Sequence, residues 1–477
     1  MHQSKLIELL RKLSTRQLSR FGDFLQSPYF NKNTENKLFF NYLQAFVPGF
    51  DHPELEKGAV IRANPTESGL DEGALAYRMN ELMQLLEDFL AAERLREQPL
   101  EAQFALMEAY HQMGLDKHYS TVRKRARKLL KKYPYQDAAY LQARYRLADI
   151  EDRYAQQYER RYREELQQAA DALDRAYLAE KLRYSLEMVN AAQMLDIQYS
   201  LHLGEAVLGW LKDNPLHDAP RVDIYLNALL MLQQPEKQEY YHKLYSLLRD
   251  NEAILPPEEV KNLYAYLLNY CTRRINHYRD KSYLAHFLDI NQYLLDKGML
   301  LENGRLAPWR YTNLITAGLA TGRPEWAKSF LEKYKKLLPE DFRDDIYHFN
   351  LAHHLYYTKD YGRAQVLLNQ IDLRDALLAI SAKNLLAKIY YETGQTELLL
   401  SFLEAYRIYL YRQDLVKPKL KEQARNFIDF TRKLAKLALF ETEKRQALAD
   451  SLPPATETFE REWLLAMFTK HLKGDGR

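Results

Sequence analysis

A chain of 477 residues with 68 Lys and Arg against 65 Asp and Glu has a formal net charge of only +3, so bulk charge selects neither nucleic acid nor a membrane surface as partner. Sixteen Gly and 17 Pro are few for this length; with abundant Leu, Ala, Glu, Lys, Arg and Gln they favour helix throughout. The single cysteine, Cys271, rules out a disulfide framework within the chain and argues against a cysteine-based zinc site.

The first residues, Met1 to Leu6, lack the apolar core of a signal peptide. Charge-free stretches such as 224–235 are far shorter than the ~20 residues that span a bilayer. The expectation is an all-α cytoplasmic protein. Residues 1–98 read as an N-terminal helical domain. Leu6, Leu9, Leu10 and Leu13 keep helical spacing, and Ser14 with Gln17 forms a capping-box start for a second helix that buries Leu18, Phe21 and Leu25. That helix must stop before Pro28, because a residue preceding proline avoids the α region. After a loose stretch with breakers at Pro48-Gly49, Pro53, Asn64-Pro65 and Ser68-Gly69, a long helix from Asp71 carries Leu75, Met79, Leu82, Leu86 and Phe89 on one stripe. The spacing would suit a dimer seam, but the central helix of this domain's own core is the preferred reading.

The run from Phe24 to Asn33 (Phe-Leu-Gln-Ser-Pro-Tyr-Phe-Asn-Lys-Asn), together with Tyr177 to Tyr184, resembles an uncharacterised family of helical proteins from Bacteroidota bacteria. That family has no assigned activity, so the resemblance implies a source and no function.

From Glu101 helices come in pairs, punctuated by Gly114, Pro134, Asn214-Pro215, Pro235, Pro256-Pro257 and Gly298. Residues 99–300 read as a degenerate helical-repeat region, 301–415 as clear repeats, and 416–477 as C-terminal capping helices. Within the clear repeats, turn residues Gly322, Lys359 and Gly394 are offset by 37 and 35 positions. Each is followed at fixed distances by Ala327, Ala364 or Leu399, then Leu331, Leu368 or Leu403, then Tyr334, Ile371 or Tyr406. Upstream lie Leu314-Ile315, Leu351-Ala352 or Leu386-Ala387, with Gly318, Leu355 or Tyr390 next. This pattern resembles the tetratricopeptide repeat, in which paired helices stack to complete each other's core. Pro339 stands where that family closes a repeat with proline; Ala376 and Tyr411 replace it in the other two units.

The resemblance implies an α-solenoid whose first helices line a concave groove. The groove residues would be Trp309, Thr312 and Thr316, then Phe349, Asn350, His353 and Tyr357, then Asn384, Lys388 and Tyr391. Asn350 suits the carboxylate clamp of some relatives, but Thr312, Thr316, Ser381 and Leu385 stand where its other members belong. An aromatic and amide surface suits a peptide or partner helix better. On this reading the chain is a non-enzymatic scaffold or adaptor, and His353 and Lys388 can be replaced without loss of stability. The alternative is a nucleic-acid or nucleoprotein binder. Seven cations and no acid occur between Thr121 and Lys132, and Arg123, Lys124, Arg127, Lys128 and Lys131 are the phosphate-contact candidates. Val122, Ala126, Leu129 and Tyr133 in the same stretch keep the spacing of an ordinary amphipathic helix.

Tyr154, Tyr158 and Tyr162, spaced by four, read as a packing stripe. His348, His353 and His354 with Asp344 and Asp345 are the nearest approach to a metal cluster, but they do not share one helical face. No nucleotide, hydrolase or zinc motif occurs, so no cofactor, metal or catalytic residue is expected.

Overall fold

The computed structural model describes residues 1–63, 71–157, 164–195, 197–216, 218–373, 375–413, 416–438, 441–454 and 456–470. Among these are 23 α-helices and one β-hairpin, Leu301–Glu302 paired with Arg305–Leu306, so the fold is all-α. The hairpin was not anticipated. Its turn, Asn303-Gly304, takes positive φ at both positions, the geometry that an Asn-Gly pair favours. The chain divides into two compact units, residues 1–188 with 197–225 and residues 189–196 with 226–477.

In the first unit, α1 (Lys5–Lys12), α2 (Thr15–Gln26), α3 (Thr34–Gln44), α4 (Lys57–Ala63) and α5 (Glu72–Arg96) enclose one core. Ser14 and Gln17 make both reciprocal bonds of the capping box. Leu75, Leu82, Leu86 and Phe89 of α5 are buried with Phe21, Phe39 and Phe40, so the stripe belongs to the domain's own core. The turn after Pro28 is held by Asn31, whose amide donates to the Leu25 carbonyl at 2.9 Å and accepts from Asn36 at 3.2 Å. A second core lies under α6 (Pro99–Gln112), α7 (Asp116–Lys131) and α8 (Ala138–Ala155). There Tyr154 stacks on Tyr119 with ring centroids 3.7 Å apart, which is packing; Tyr158 and Tyr162 lie outside the described residues. Next come α9 (Glu164–Leu195), α10 (Gly204–Asp213) and α11 (Pro220–Gln233).

The second unit continues with α12 (Gln238–Asn251), α13 (Pro257–Asn276) and α14 (Tyr283–Asp296), followed by the hairpin. Cys271 is buried here and donates to the Tyr241 hydroxyl at 3.4 Å; burial pushes its thiol up to about 12. The repeated pairs are α15 (Pro308–Ala320) with α16 (Pro324–Tyr334), α17 (Arg343–Tyr357) with α18 (Tyr361–Gln370), and α19 (Ala376–Glu392) with α20 (Thr396–Arg412). Each first helix ends in the same way. Gly322, Lys359 and Gly394 adopt left-handed φ, and the next residue's amide bonds back to Gly318, Leu355 or Tyr390. This six-to-one bond satisfies a carbonyl that the helix end would otherwise leave open. Ala327, Ala364, Leu399, Leu331, Leu368 and Leu403 are all buried. The repeat spacing thus marks the surfaces where successive pairs stack.

Beyond the pairs, α21 (Pro418–Lys436), α22 (Thr442–Asp450) and α23 (Arg461–Phe468) extend the same core, which buries Phe427, Phe430, Leu464 and Phe468. Arg445 is almost completely buried between them, donating to the carbonyls of Leu437 and Met467 and to the Tyr391 hydroxyl.

Candidate peptide-binding groove

The first helices α15, α17 and α19 each turn one face toward a shared space. Steps of three and four residues place Trp309, Thr312 and Thr316 on one face, Ile346, Phe349 and His353 on the next, and Leu378, Ser381, Leu385 and Lys388 on the third. Together with Phe342, Asp345, Asp372, Leu373, Asp375, Leu377 and Glu460 they line a cavity of about 780 Å³. The floor is largely apolar, and Trp309 and Leu377 keep 55% and 47% of their surface exposed beside it. Large apolar side chains left open around a concavity are typical of a surface that takes a partner.

The two ends differ in charge. Asp345 sits in the first turn of α17, and Asp375 caps α19 by accepting from the Leu378 amide at 2.8 Å. Asp372 lies between them and donates its backbone amide to Asp345 at 3.4 Å. No described cation forms an ion pair with any of the three; Arg374 lies outside the described residues. The helix dipoles favour negative charge at these N-terminal turns. With a rise of 1.5 Å per residue, His353 and Lys388 lie roughly 12 Å and 20 Å further along their helices.

At that opposite end, Lys388 is only 8% exposed, and its ammonium stands over the Tyr356 ring and pairs with Glu460 at 2.8 Å. Burial alone would raise the Glu460 carboxyl, but Lys388 outweighs it and the net shift is downward. His353 approaches Thr316 at 3.5 Å, and burial together with the Lys388 charge pushes it down to about 4. Glu460 adopts a left-handed φ of 53° immediately before α23. Its segment is tied to α21 through Gln423 and Asn426, which donate to the carbonyls of Thr456 and Glu457. One turn beyond Lys388, Glu392 accepts from Tyr356, from Tyr361 at 2.6 Å and from Trp463 at 2.7 Å. Burial acts to raise its carboxyl, yet these bonds hold it below the usual range.

The expected groove residues therefore divide. Trp309, Thr312, Thr316, Phe349, His353 and Lys388 line the cavity. Asn350 and Asn384 are buried; Asn350 donates to Thr312 at 3.0 Å and Asn384 accepts from Tyr406 at 2.9 Å. Each lies one residue from a lining position, and that 100° rotation carries Asn350 into the packing between pairs and Asn384 into the packing within its own pair. Tyr391 packs its ring against Trp463, and Tyr357 is exposed outside the lining. The expectation that Lys388 can be replaced at no cost to stability is corrected by its buried pair with Glu460. Leu377, Phe342 and Asp372 were missed because they come from helix entries and links, which repeat periodicity does not index. Glu460 was missed because a contact so distant in sequence leaves no local signal.

On α7, Arg127 makes two bonds of 2.6 Å to the buried carboxylate of Glu151, which raises its guanidinium and commits it to the fold. Arg123 is half-buried, whereas Lys124, Lys128 and Lys131 are exposed. The histidine and aspartate cluster disperses: Asp344 pairs with Lys335 at 2.9 Å, and His354 bonds the Pro324 carbonyl through Nε2 at 3.2 Å. Among the described residues no group of three or more His, Cys, Asp or Glu could hold a metal ion, and no helix is long and apolar enough to cross a membrane.

No protein-family model matches the chain, and no curated protein matches it.

Proposed function

We propose that this chain is a non-enzymatic cytoplasmic scaffold or adaptor, organised as an α-solenoid of tetratricopeptide-like pairs, that holds a segment of a partner protein in the groove of α15, α17 and α19. The observation that carries the reading is the cavity itself, an apolar floor of concave helix faces with Trp309 and Leu377 exposed beside it. An aromatic anchor ringed by aliphatic side chains is the composition of a binding hot spot. The test is an affinity purification from source cells, with and without nuclease, using the wild type and the double variant Trp309→Ala/Leu377→Ser. Both changes fall on exposed positions, so the variant should melt within a few degrees of the wild type. A nuclease-resistant partner lost in the variant supports the reading; a partner retained at full level rejects the groove.

A second reading rests on α7. Lys124, Lys128 and Lys131 follow one helical face and remain exposed, with no ion pair to any described residue. Such a row can track a phosphate backbone, and partners that disappear on nuclease treatment would favour it.

A further inference from the structure

The groove reading leaves open what kind of segment fits, and the charge distribution within the cavity addresses that. Its described lining contains four carboxylates, those of Asp345, Asp372, Asp375 and Glu460, against the single ammonium of Lys388. Lys388 is already matched by Glu460 at 2.8 Å. The surplus negative charge is therefore concentrated at the entry of α17 and α19, where Asp345 and Asp372 converge and Asp375 caps its helix. Along α17 and α19, the lining residues Phe349, Leu378 and Leu385 lie between this end and the Lys388 pair. An acidic segment would meet three carboxylates at one end and a compensated ammonium at the other. A segment with Lys or Arg beside an apolar anchor would find a carboxylate set next to an aromatic and aliphatic floor.

Resting on the groove reading, we propose that the cavity selects a basic-apolar peptide segment: the anchor occupies the floor beside Trp309 and Leu377, and a flanking Lys or Arg is neutralised by Asp345, Asp372 and Asp375. Charge then determines which partners are accepted, because like-charge juxtaposition penalises the wrong ones. The Lys388–Glu460 pair closes the far end, so the basic flank can lie on one side of the anchor only.

The test uses the full chain and three short, fluorescently labelled synthetic peptides. All share a Phe and Leu anchor and differ only at two flanking positions, which are Lys, norleucine or Glu. Anisotropy titrations at low salt should rank Lys over norleucine over Glu, with roughly a tenfold span from first to last. The variant Asp345→Asn/Asp372→Asn/Asp375→Asn keeps every hydrogen-bond acceptor, including the helix cap. It should collapse that span while leaving the norleucine peptide's affinity unchanged. Equal affinities, or a preference for Glu, would overturn the proposal. Absence of binding by all three peptides would also overturn it. If the cellular partner is still lost on Trp309→Ala/Leu377→Ser, that result leaves the groove reading standing; if the partner survives that variant, the groove reading itself has failed.

Discussion

Gly318 occupies a helical position in α15, where a Cβ would meet the Trp326 ring at 2.7 Å. Trp326 sits on α16, so the absence of a side chain is what lets the two helices of this pair close. Gly318→Ala should lower stability by about 1–3 kcal/mol, the usual range for overpacking, and a urea titration would read it as a lower midpoint with an unchanged slope. Lys359 poses the opposite problem. Its φ of 65° is shared with Gly322 and Gly394, but here a Cβ must tolerate the left-handed turn. Lys359→Gly should therefore be neutral or stabilising by up to about 1 kcal/mol, and a lowered melting temperature would contradict the strain. His353 gives a signed pH dependence. Its folded-state value is depressed to about 4, by burial and then by Lys388, with Glu460 opposing and His354 adding to the lowering. The unfolded chain, with an imidazole near 6.5, takes up the proton first. Stability from this residue is thus complete above about pH 6.5 and falls as pH drops toward 4. As acid is added across that range, the melting temperature of the wild type should fall relative to that of His353→Gln; parallel curves would exclude the linkage.

At the level of helices, the repeat spacing was legible because it is imposed by stacking. Ala327, Ala364 and Leu399 recur at one position because all three are completely buried, which leaves no room there for a polar or exposed residue. The three left-handed turns were legible for a related reason, since two of them are glycine and all sit five residues before those contacts. The groove was legible only to the helix face: Asn350 and Asn384 were placed one step wrong because periodicity cannot separate a lining residue from its inward neighbour. The C-terminal helices were legible as a cap, but the polar contacts that fasten them to the array were not. Glu460 and Trp463 reach Lys388 and Glu392 across a separation that no spacing encodes, and no local pattern marks Arg445 as buried. The Lys388–Glu460 pair can be tested as a unit. Glu460→Gln leaves a buried ammonium poorly matched, and Lys388→Met leaves a carboxylate stranded, so each should cost about 1–3 kcal/mol. Together they should cost less than the sum of the two, and a strictly additive double-mutant cycle would show that the pair contributes nothing beyond its separate contacts.

Across the whole molecule, cations differ in whether a carboxylate already holds them. In the first unit alone, Arg127 is committed to Glu151, Arg146 to Glu101 and Arg153 to Glu108. By contrast, Lys124, Lys128 and Lys131 of α7 are exposed and form no ion pair with any described residue. The scaffold reading and the nucleic-acid reading therefore make different quantitative statements. Neutralising Z phosphates of a duplex gives a slope of about −0.9Z in a plot of log affinity against log salt. Three α7 lysines acting together would give a slope of about −3, and Lys124→Glu/Lys128→Glu/Lys131→Glu would abolish it. A protein that acts through the groove and not through α7 should instead bind duplex DNA weakly, with a slope shallower than about −1 that this triple variant leaves unchanged. We expect the shallow result, because α7 presents its lysines on a single short face while Arg127, at the middle of the row, is already paired with Glu151. A steep slope lost in the triple variant would transfer the primary role from the groove to α7.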